Sequence, residues 1–448
     1  MIRIQTDILK NQIERSTYFS HQIKMPVCGK ELIYASILMC GSMICAATIA
    51  FSSASIEYID VEFGPLSLFE TASFQAAPSL SAIIAPFLFN FLLKKSRRKV
   101  ISGAIGISGV IFWLVMLTMN SKHFWITIVI RCLHGVIMGG IGLVIPIYIV
   151  EIAPSDARGF FGVLHTVSVT FGHSLYNLLG AIHSWRLLVY VTASFLFILG
   201  AFIWLVPDSP AETGSKIKES VCSKKHIKPL LISCFMMVLQ QSSGIGAILS
   251  NVGPLMLEAG LNIDPGYQAA IATSSEFFSC IVGAFVMDKF GRRKMWIFSS
   301  AGSAIFLLVY ALNVKMNWAT WVPMVALFAY LLCFGVGLAS IPWFLIPEMF
   351  SAPARASGMA IASATSWSAA SVATFMFPYM KKAIGQFGLM LYLMGVCILC
   401  TIFGIFFVKD SMVVVGGEGD QIGDEADNIN DVEQMKENLI GEAPQADL

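Results

Sequence analysis

Charge is scarce in this sequence. Its 29 lysines and arginines and 28 aspartates and glutamates make up 13% of 448 residues, about half the share found in an average soluble domain. With 56% hydrophobic residues and a mean hydropathy of +0.74, that scarcity excludes a soluble chain and fixes the membrane class before any motif is read. A net charge of +1 gives no general attraction to nucleic acid, so no nucleic-acid partner is expected. Ten cysteines and seven histidines form no spaced set of the kind that holds zinc, so no metal is expected. Cys397 and Cys400 make a CxxC, but within an apolar run, where it reads as a packed helix face. A nucleophile elbow and a phosphate loop are also missing, which removes enzymatic function and cofactors from the expectations. No cleavable leader is read either, because the start is polar (Lys10, Asn11, Glu14, Arg15) and the first apolar run is long enough to stay in a bilayer.

What is present is a series of long apolar runs. Crossing about 30 Å of hydrocarbon takes roughly 20 residues of helix, and lipid offers no partner to an open backbone, so every span must be helical. Twelve spans are read, at Leu32–Ser55, Thr71–Leu92, Val100–Met119, His123–Val150, Phe160–Ile182, Arg186–Val206, Leu230–Leu257, Tyr267–Met287, Met295–Asn313, Thr320–Ile346, Ser357–Met380 and Leu389–Val408. Alternate loops are basic: Lys94, Lys95, Arg97, Arg98 and Lys99, then Arg158, the stretch from Lys216 to Lys228, then Lys289, Arg292, Arg293 and Lys294, and Arg355. The opposite loops carry fewer (Lys122, Arg186, Lys315, Lys381, Lys382). The positive-inside bias then makes the first set and both termini cytoplasmic and puts the loop of Glu57, Asp60 and Glu62 outside.

The runs form two repeats. Arg97-Arg98 after the second span returns as Arg292-Arg293 after the eighth, and 292 minus 97 is 195. Pro146, Tyr148, Glu151, Pro154 and Arg158 at the fourth span return as Pro342, Phe344, Glu348, Pro353 and Arg355 at the tenth, and 348 minus 151 is 197. Val206-Pro-Asp208-Ser resembles Val408-Lys-Asp410-Ser. The expected architecture is therefore an all-α polytopic membrane protein of two parallel six-helix bundles that rock about a site between them. A cytoplasmic tail is expected at 1–31, the bundles at 32–207 and 230–409, a linker at 208–229, and an acidic disordered tail at 410–448.

The paired basic loops, the run from Pro146 to Gly159, the string Pro207-Asp-Ser-Pro210 and Gln240-Gln-Ser-Ser-Gly-Ile-Gly246 together resemble the sugar porter family of the major facilitator superfamily, from about Leu32 to Asp410. The resemblance implies a major facilitator fold, a plasma-membrane location and a sugar as small-molecule solute, the lipid bilayer being the other partner. It places sugar contacts at Gln240 and Gln241, a stacking or gating indole at Trp343 and a second at Trp367. Amides match pairs of hydroxyls and an indole face packs on a pyranose, so the assignment is chemically coherent. The alternative is that the amides bond between helices and the tryptophans are packing. Departures also stand out: Gly246 where the family has Asn, Thr166 where it has Gln, Ser366 in place of Asn, and Glu276 at the Asn position of helix eight. A smaller or differently hydroxylated solute is compatible with that set.

Glu276 precedes Asp288 by twelve residues, roughly 18 Å along a helix, which puts a carboxylate near the bilayer midplane. It reads as a substrate acceptor, a proton-coupling carboxyl, or a group neutralised by its neighbours. Arg131, His134, His165 and His173 read as satisfied buried polar groups. The first span offers only Ala50-Phe51-Ser52-Ser53 where proton symporters of the family carry an acid, which favours passive facilitation unless Glu276 has taken that role. The resemblance also implies a cytoplasmic gate of Glu151 and Arg158 with Glu348 and Arg355, beside Arg97, Arg98, Asp288, Arg292 and Arg293. Its first-half loop departs from the family at Leu93 and Ser96. Three functions stay open: a facilitative hexose carrier, a proton-coupled symporter using Glu276, and a non-transporting sugar sensor.

Overall fold

The computed structural model describes residues 29–119, 124–154, 158–182, 184–208 and 223–408. The expected N-terminal tail, most of the linker and the acidic C-terminal tail lie outside the described residues. Within them the regular structure is entirely helical: α1 (Gly29–Phe63), α2 (Leu68–Ala82), α3 (Ala85–Leu93), α4 (Arg98–Val115), α5 (Phe124–Ile152), α6 (Arg158–Ile182), α7 (Trp185–Phe202), α8 (Lys224–Ser242), α9 (Ile245–Ala259), α10 (Pro265–Phe290), α11 (Arg292–Met316), α12 (Val322–Val336), α13 (Ile341–Glu348) and α14 (Ala352–Phe407).

These helices make twelve spans. Nine stretches among the described residues are long and apolar enough to cross a bilayer, and the last, of 54 residues, covers two crossings. It turns at Gly385, whose φ of 71° and ψ of 170° interrupt α14. The remaining two crossings are α6 and α10, of 25 and 26 residues, which carry polar side chains along their length. Span two is α2 with α3, span seven α8 with α9, and span ten α12 with α13.

The repeat is visible in the packing. Spans one and five, two and four, and three and six lie together in the first half; spans seven and eleven, eight and ten, and nine and twelve lie together in the second. The halves meet where span five packs on eight, span two on eleven, and span one on seven, a set that maps onto itself under the same repeat. Each half has its own apolar core, with Phe51, Trp113 and Tyr148 in the first and Trp296, Tyr330 and Phe334 in the second. Ile49 reaches across to the second core and Trp367 to the first. Cys397 and Cys400 are buried free thiols.

Two spans of the second half, seven and ten, are broken, and each break exposes backbone groups that need partners inside the bilayer. Gly244 separates α8 from α9 with φ 94°, a left-handed conformation that costs a residue with a Cβ roughly 1 kcal/mol or more. The hydroxyl of Tyr330 serves the carbonyl of Ser243 there. Between α12 and α13, Gln240 donates to the carbonyls of Leu338 and Ala339, at 2.7 and 3.2 Å, while the Leu338 amide donates to Ser299 Oγ at 2.9 Å. Spans one and four, their counterparts in the first half, run unbroken for 35 and 29 residues.

Candidate functional site between the two halves

The seam between spans five and eight holds the most unusual group. α6 and α10 lie antiparallel, and His173 Nδ1 stands 3.0 Å from Glu276 Oε2 with the two side chains 4% and 6% exposed. Glu276 is the twelfth residue of the 26 in α10, so this contact is close to mid-span. His173 Nε2 is buried without a partner, and the Asn177 amide donates to the His173 carbonyl one turn along. Of the three meanings open for Glu276, the structure supplies its neighbour: an imidazole from the other half. Sequence reading named both residues without pairing them, because 103 residues separate them and only the antiparallel packing brings them together.

Gln241 and Gly246 come together on span seven, beside span eleven. Gln241 Nε2 donates to Ser366 Oγ at 3.1 Å, and a Cβ at Gly246 would lie 3.7 Å from Gln241 Oε1 and 3.8 Å from Thr374 Oγ1, in ordinary contact. A Cβ at Gly246 is thus accommodated, and Ser366 is the hydrogen-bond partner of Gln241. Trp367 follows Ser366 and leans on the first-half core. Gln240 is turned to the α12–α13 break, as described above, and its Oε1 is buried and unpartnered. Trp343, in α13, is 37% exposed. Thr166 is half-buried on α6, its carbonyl accepting from Thr170 Oγ1 at 3.1 Å.

Sequence reading passed over a second set that joins the halves. Gln75 and Asn251 exchange amide hydrogen bonds at 2.8 and 3.2 Å, and the Gly253 amide donates to Ser53 Oγ, which itself donates to Asn177. Their signal was available: polar side chains inside apolar runs need partners. Arg131 is fully buried and donates to the Phe74 carbonyl at 3.2 Å, the Thr48 carbonyl at 2.8 Å and Ser52 Oγ at 2.7 Å. The rings of Phe51 and Phe74 lie 5.5 and 4.9 Å from its guanidinium. His134 stacks on Trp113 at 4.0 Å, and His165 bonds to Ser42.

At the end carrying the basic loops, called the basic end below, each half has an ion pair. Arg98 meets Glu151 at 2.7 Å with side-chain exposures of 17% and 16%; Arg292 and Glu348 make a two-pronged pair, one prong at 2.8 Å, with exposures of 31% and 42%. Each arginine opens a helix, where its charge opposes the positive end of the helix dipole and the carboxylate offsets it. Arg97 and Lys99 reach Asp208 at 3.2 and 3.7 Å, and Tyr148 donates to the Pro207 carbonyl, which ties two of the sequence motifs together. Arg293 donates to the Ile405 carbonyl at 2.6 Å, and Arg355 is exposed. The side chains of Arg158 and Asp288 lie outside the described residues.

The turn into α11 uses Gly291 at φ 83°, ψ 156°, whereas the turn into α4 passes through Arg97 at φ −67°, ψ 148°. Ser96, the counterpart of Gly291 under the repeat (291 minus 195), does not take a positive φ, so the first-half loop needs no glycine there.

The fold is shared with a structure of the xylose transporter XylE from E. coli in an inward-open conformation, at a TM-score of 0.72 and 18% identity over 86% of this chain and 97% of that one. A D-xylose-proton symporter gives 0.72 at 20% identity, over 84% and 97%. In sequence, the facilitated trehalose transporter Tret1 of Culex quinquefasciatus is 23% identical over 85% of this chain and 83% of its own length. Tret1 of Aedes aegypti is also 23% identical, and there the chain spans 53% of the relative. Solute carrier family 2, facilitated glucose transporter member 2 of Sus scrofa is 25% identical over 63% of each. The profile described as Sugar (and other) transporter matches residues 46–220 and 211–414, almost the whole helical body, and the chain belongs to that family.

Proposed function

We propose that this chain carries a hexose or a similar small polyhydroxylated solute across a membrane by alternating access. The observations that carry the reading are two sets of polar side chains held inside the spans: Gln241 with Ser366 beside Thr374 in one bundle, and His173 of one bundle against Glu276 of the other. Hydroxyls match such a set, because amide, carboxylate and imidazole offer both donors and acceptors. Relatives named as trehalose and glucose transporters support a sugar. Substrate contacts are assigned to Gln240, Gln241, Gly246, Glu276, Trp343, Trp367 and Thr166. The basic end is taken as cytoplasmic, with both termini there and the plasma membrane as location. Its gate is Arg97, Arg98, Glu151, Arg158, Asp288, Arg292, Arg293, Glu348 and Arg355, with bundles at 32–207 and 230–409.

Passive movement is supported by Arg131. Its hydrogen bonds go to neutral oxygens of Thr48, Ser52 and Phe74, and the first span carries Ala50-Phe51-Ser52-Ser53 where proton symporters of the family carry an acid. The test is purification into liposomes and counterflow of labelled glucose, fructose, trehalose, a pentose and a polyol. Exchange of at least one sugar is expected; movement of none would overturn the proposal and leave the fold untouched.

A further inference from the structure

α6 and α10 stay in register along the seam. A Cβ at Gly266 would touch Ala181 near one end, the Phe171 and Phe277 rings meet at 5.6 Å, and the His173–Glu276 contact falls between these two landmarks. Any motion that parts the halves at this level must break it. Both side chains are almost wholly buried, so counting charge decides what the closed pair holds. Neutral imidazole beside carboxylate leaves a net negative charge in an apolar seam. One further proton makes the pair neutral overall, whether it is written as imidazolium with carboxylate or imidazole with carboxylic acid. Burying the neutral combination is far less costly. Once the seam opens to water, both groups are solvated and the extra proton is free to leave.

The surroundings offer no substitute for that proton. Among the described residues no lysine or arginine bonds to Glu276. Cys280 on α10 and Tyr330 on α12 lie within electrostatic reach of it, and neither brings a cation. His165 on α6 is bonded to Ser42 of α1. From α5, Arg131 and His134 turn to α1, α2 and α4. Arg186 of α7 pairs with Glu62, Glu258 of α9 with Lys381, and Arg292 of α11 with Glu348, each near a span end. The fold itself does not require the pair. The repeat offsets map it, on the seam of spans two and eleven, to Ser81 (276 minus 195) and Ala370 (173 plus 197), both neutral.

We propose that His173 and Glu276 form a proton-binding site shared by the two halves, filled when their seam closes and emptied when it opens, so that a proton is a second ligand of the carrier. The inference rests on the transport reading above for its consequence, which is that solute exchange depends on pH. Nε2 of His173, buried and unpartnered, is the open position through which a water or a solute hydroxyl reaches the pair. No covalent step is involved: a proton passes from water to the pair on closing and returns to water on opening. The closed form binds the proton, so acid favours closure and rising pH weakens it, by up to about tenfold in the closed-to-open ratio per pH unit for one proton.

The test uses the full chain in liposomes, with spin labels carried by unnatural residues at Ile182 and Tyr267, which are 49% and 42% exposed at the ends of α6 and α10. Between about pH 5.5 and 8, where an imidazole titrates, the wild type is expected to move from mainly short to mainly long label distances. Glu276→Gln and His173→Gln, which keep a neutral hydrogen bond available, are expected to show one distribution at every pH and a flat pH profile of sugar counterflow. If one variant does not fold, the other decides. A wild-type distribution unchanged by pH, or variants that titrate like the wild type, would overturn the site. Absence of sugar counterflow at every pH would instead overturn the transport reading, and the label distances would still report on the proton.

Discussion

The two halves are built to one plan and stabilised in opposite ways. In the first, spans one and four are continuous helices, and the buried charge of Arg131 is held by carbonyls, a hydroxyl and two rings of that same half. In the second, spans seven and ten are broken, and side chains such as Gln240, Ser299 and Tyr330 serve the backbone groups that the breaks release. Spans one and four keep their backbone hydrogen bonds inside one helix each. The breaks of the second half are served from within that half, since irregular backbone inside a membrane survives where protein or a wet cavity satisfies it.

Removing the support of a break tests that contrast most severely. Gln240→Leu orphans the carbonyls of Leu338 and Ala339, at about 1 to 3 kcal/mol each. A large fall in the detergent melting temperature and loss of counterflow are expected. Ser52→Ala, which takes one of three partners from Arg131, should cost less in the same melting assay.

The two basic turns give the next effect. Gly291→Ser forces a residue with a Cβ into backbone space that is essentially glycine-only, at about 1 to 3 kcal/mol. Ser96→Gly should change stability by about 1 kcal/mol at most, because its turn runs through ordinary angles. Equal melting shifts for the two would break the comparison.

The ion pairs follow. Glu151→Gln acts on a pair that is shielded from water and should cost about 1 to 3 kcal/mol as a charged hydrogen bond is lost. Glu348→Gln acts on a more exposed pair and should cost about 1 kcal/mol or less after screening. Raising salt should weaken the second pair more than the first, read as the melting difference between each variant and wild type at low and high salt.

The smallest stability change is expected from Gly246→Asn. The site is open at contact distance, so the melting temperature should barely move. The extra amide narrows the wall facing Thr374, and the ratio of hexose to pentose counterflow should shift severalfold, in line with about 1 kcal/mol for one added contact. An unchanged ratio would take Gly246 out of the solute site.

Composition and hydropathy by themselves determined the membrane class, the twelve spans to within a few residues at most ends, and the repeat, because a span is a local property of about 20 residues and the repeat is a property of order along the chain. The residues bearing on the site were also legible one at a time: Glu276 and Gln240 stood out as polar groups in apolar runs. Their relationships were not. That Glu276 faces His173, that Gln240 serves the α12–α13 break, and that Gln75 and Asn251 join the halves depends on which helices lie side by side and on their register. The breaks at Gly244 and Gly337–Ser340 were invisible for the same reason: an apolar run scores as one span whether or not it is interrupted, and only a tertiary partner for each freed carbonyl makes the interruption affordable.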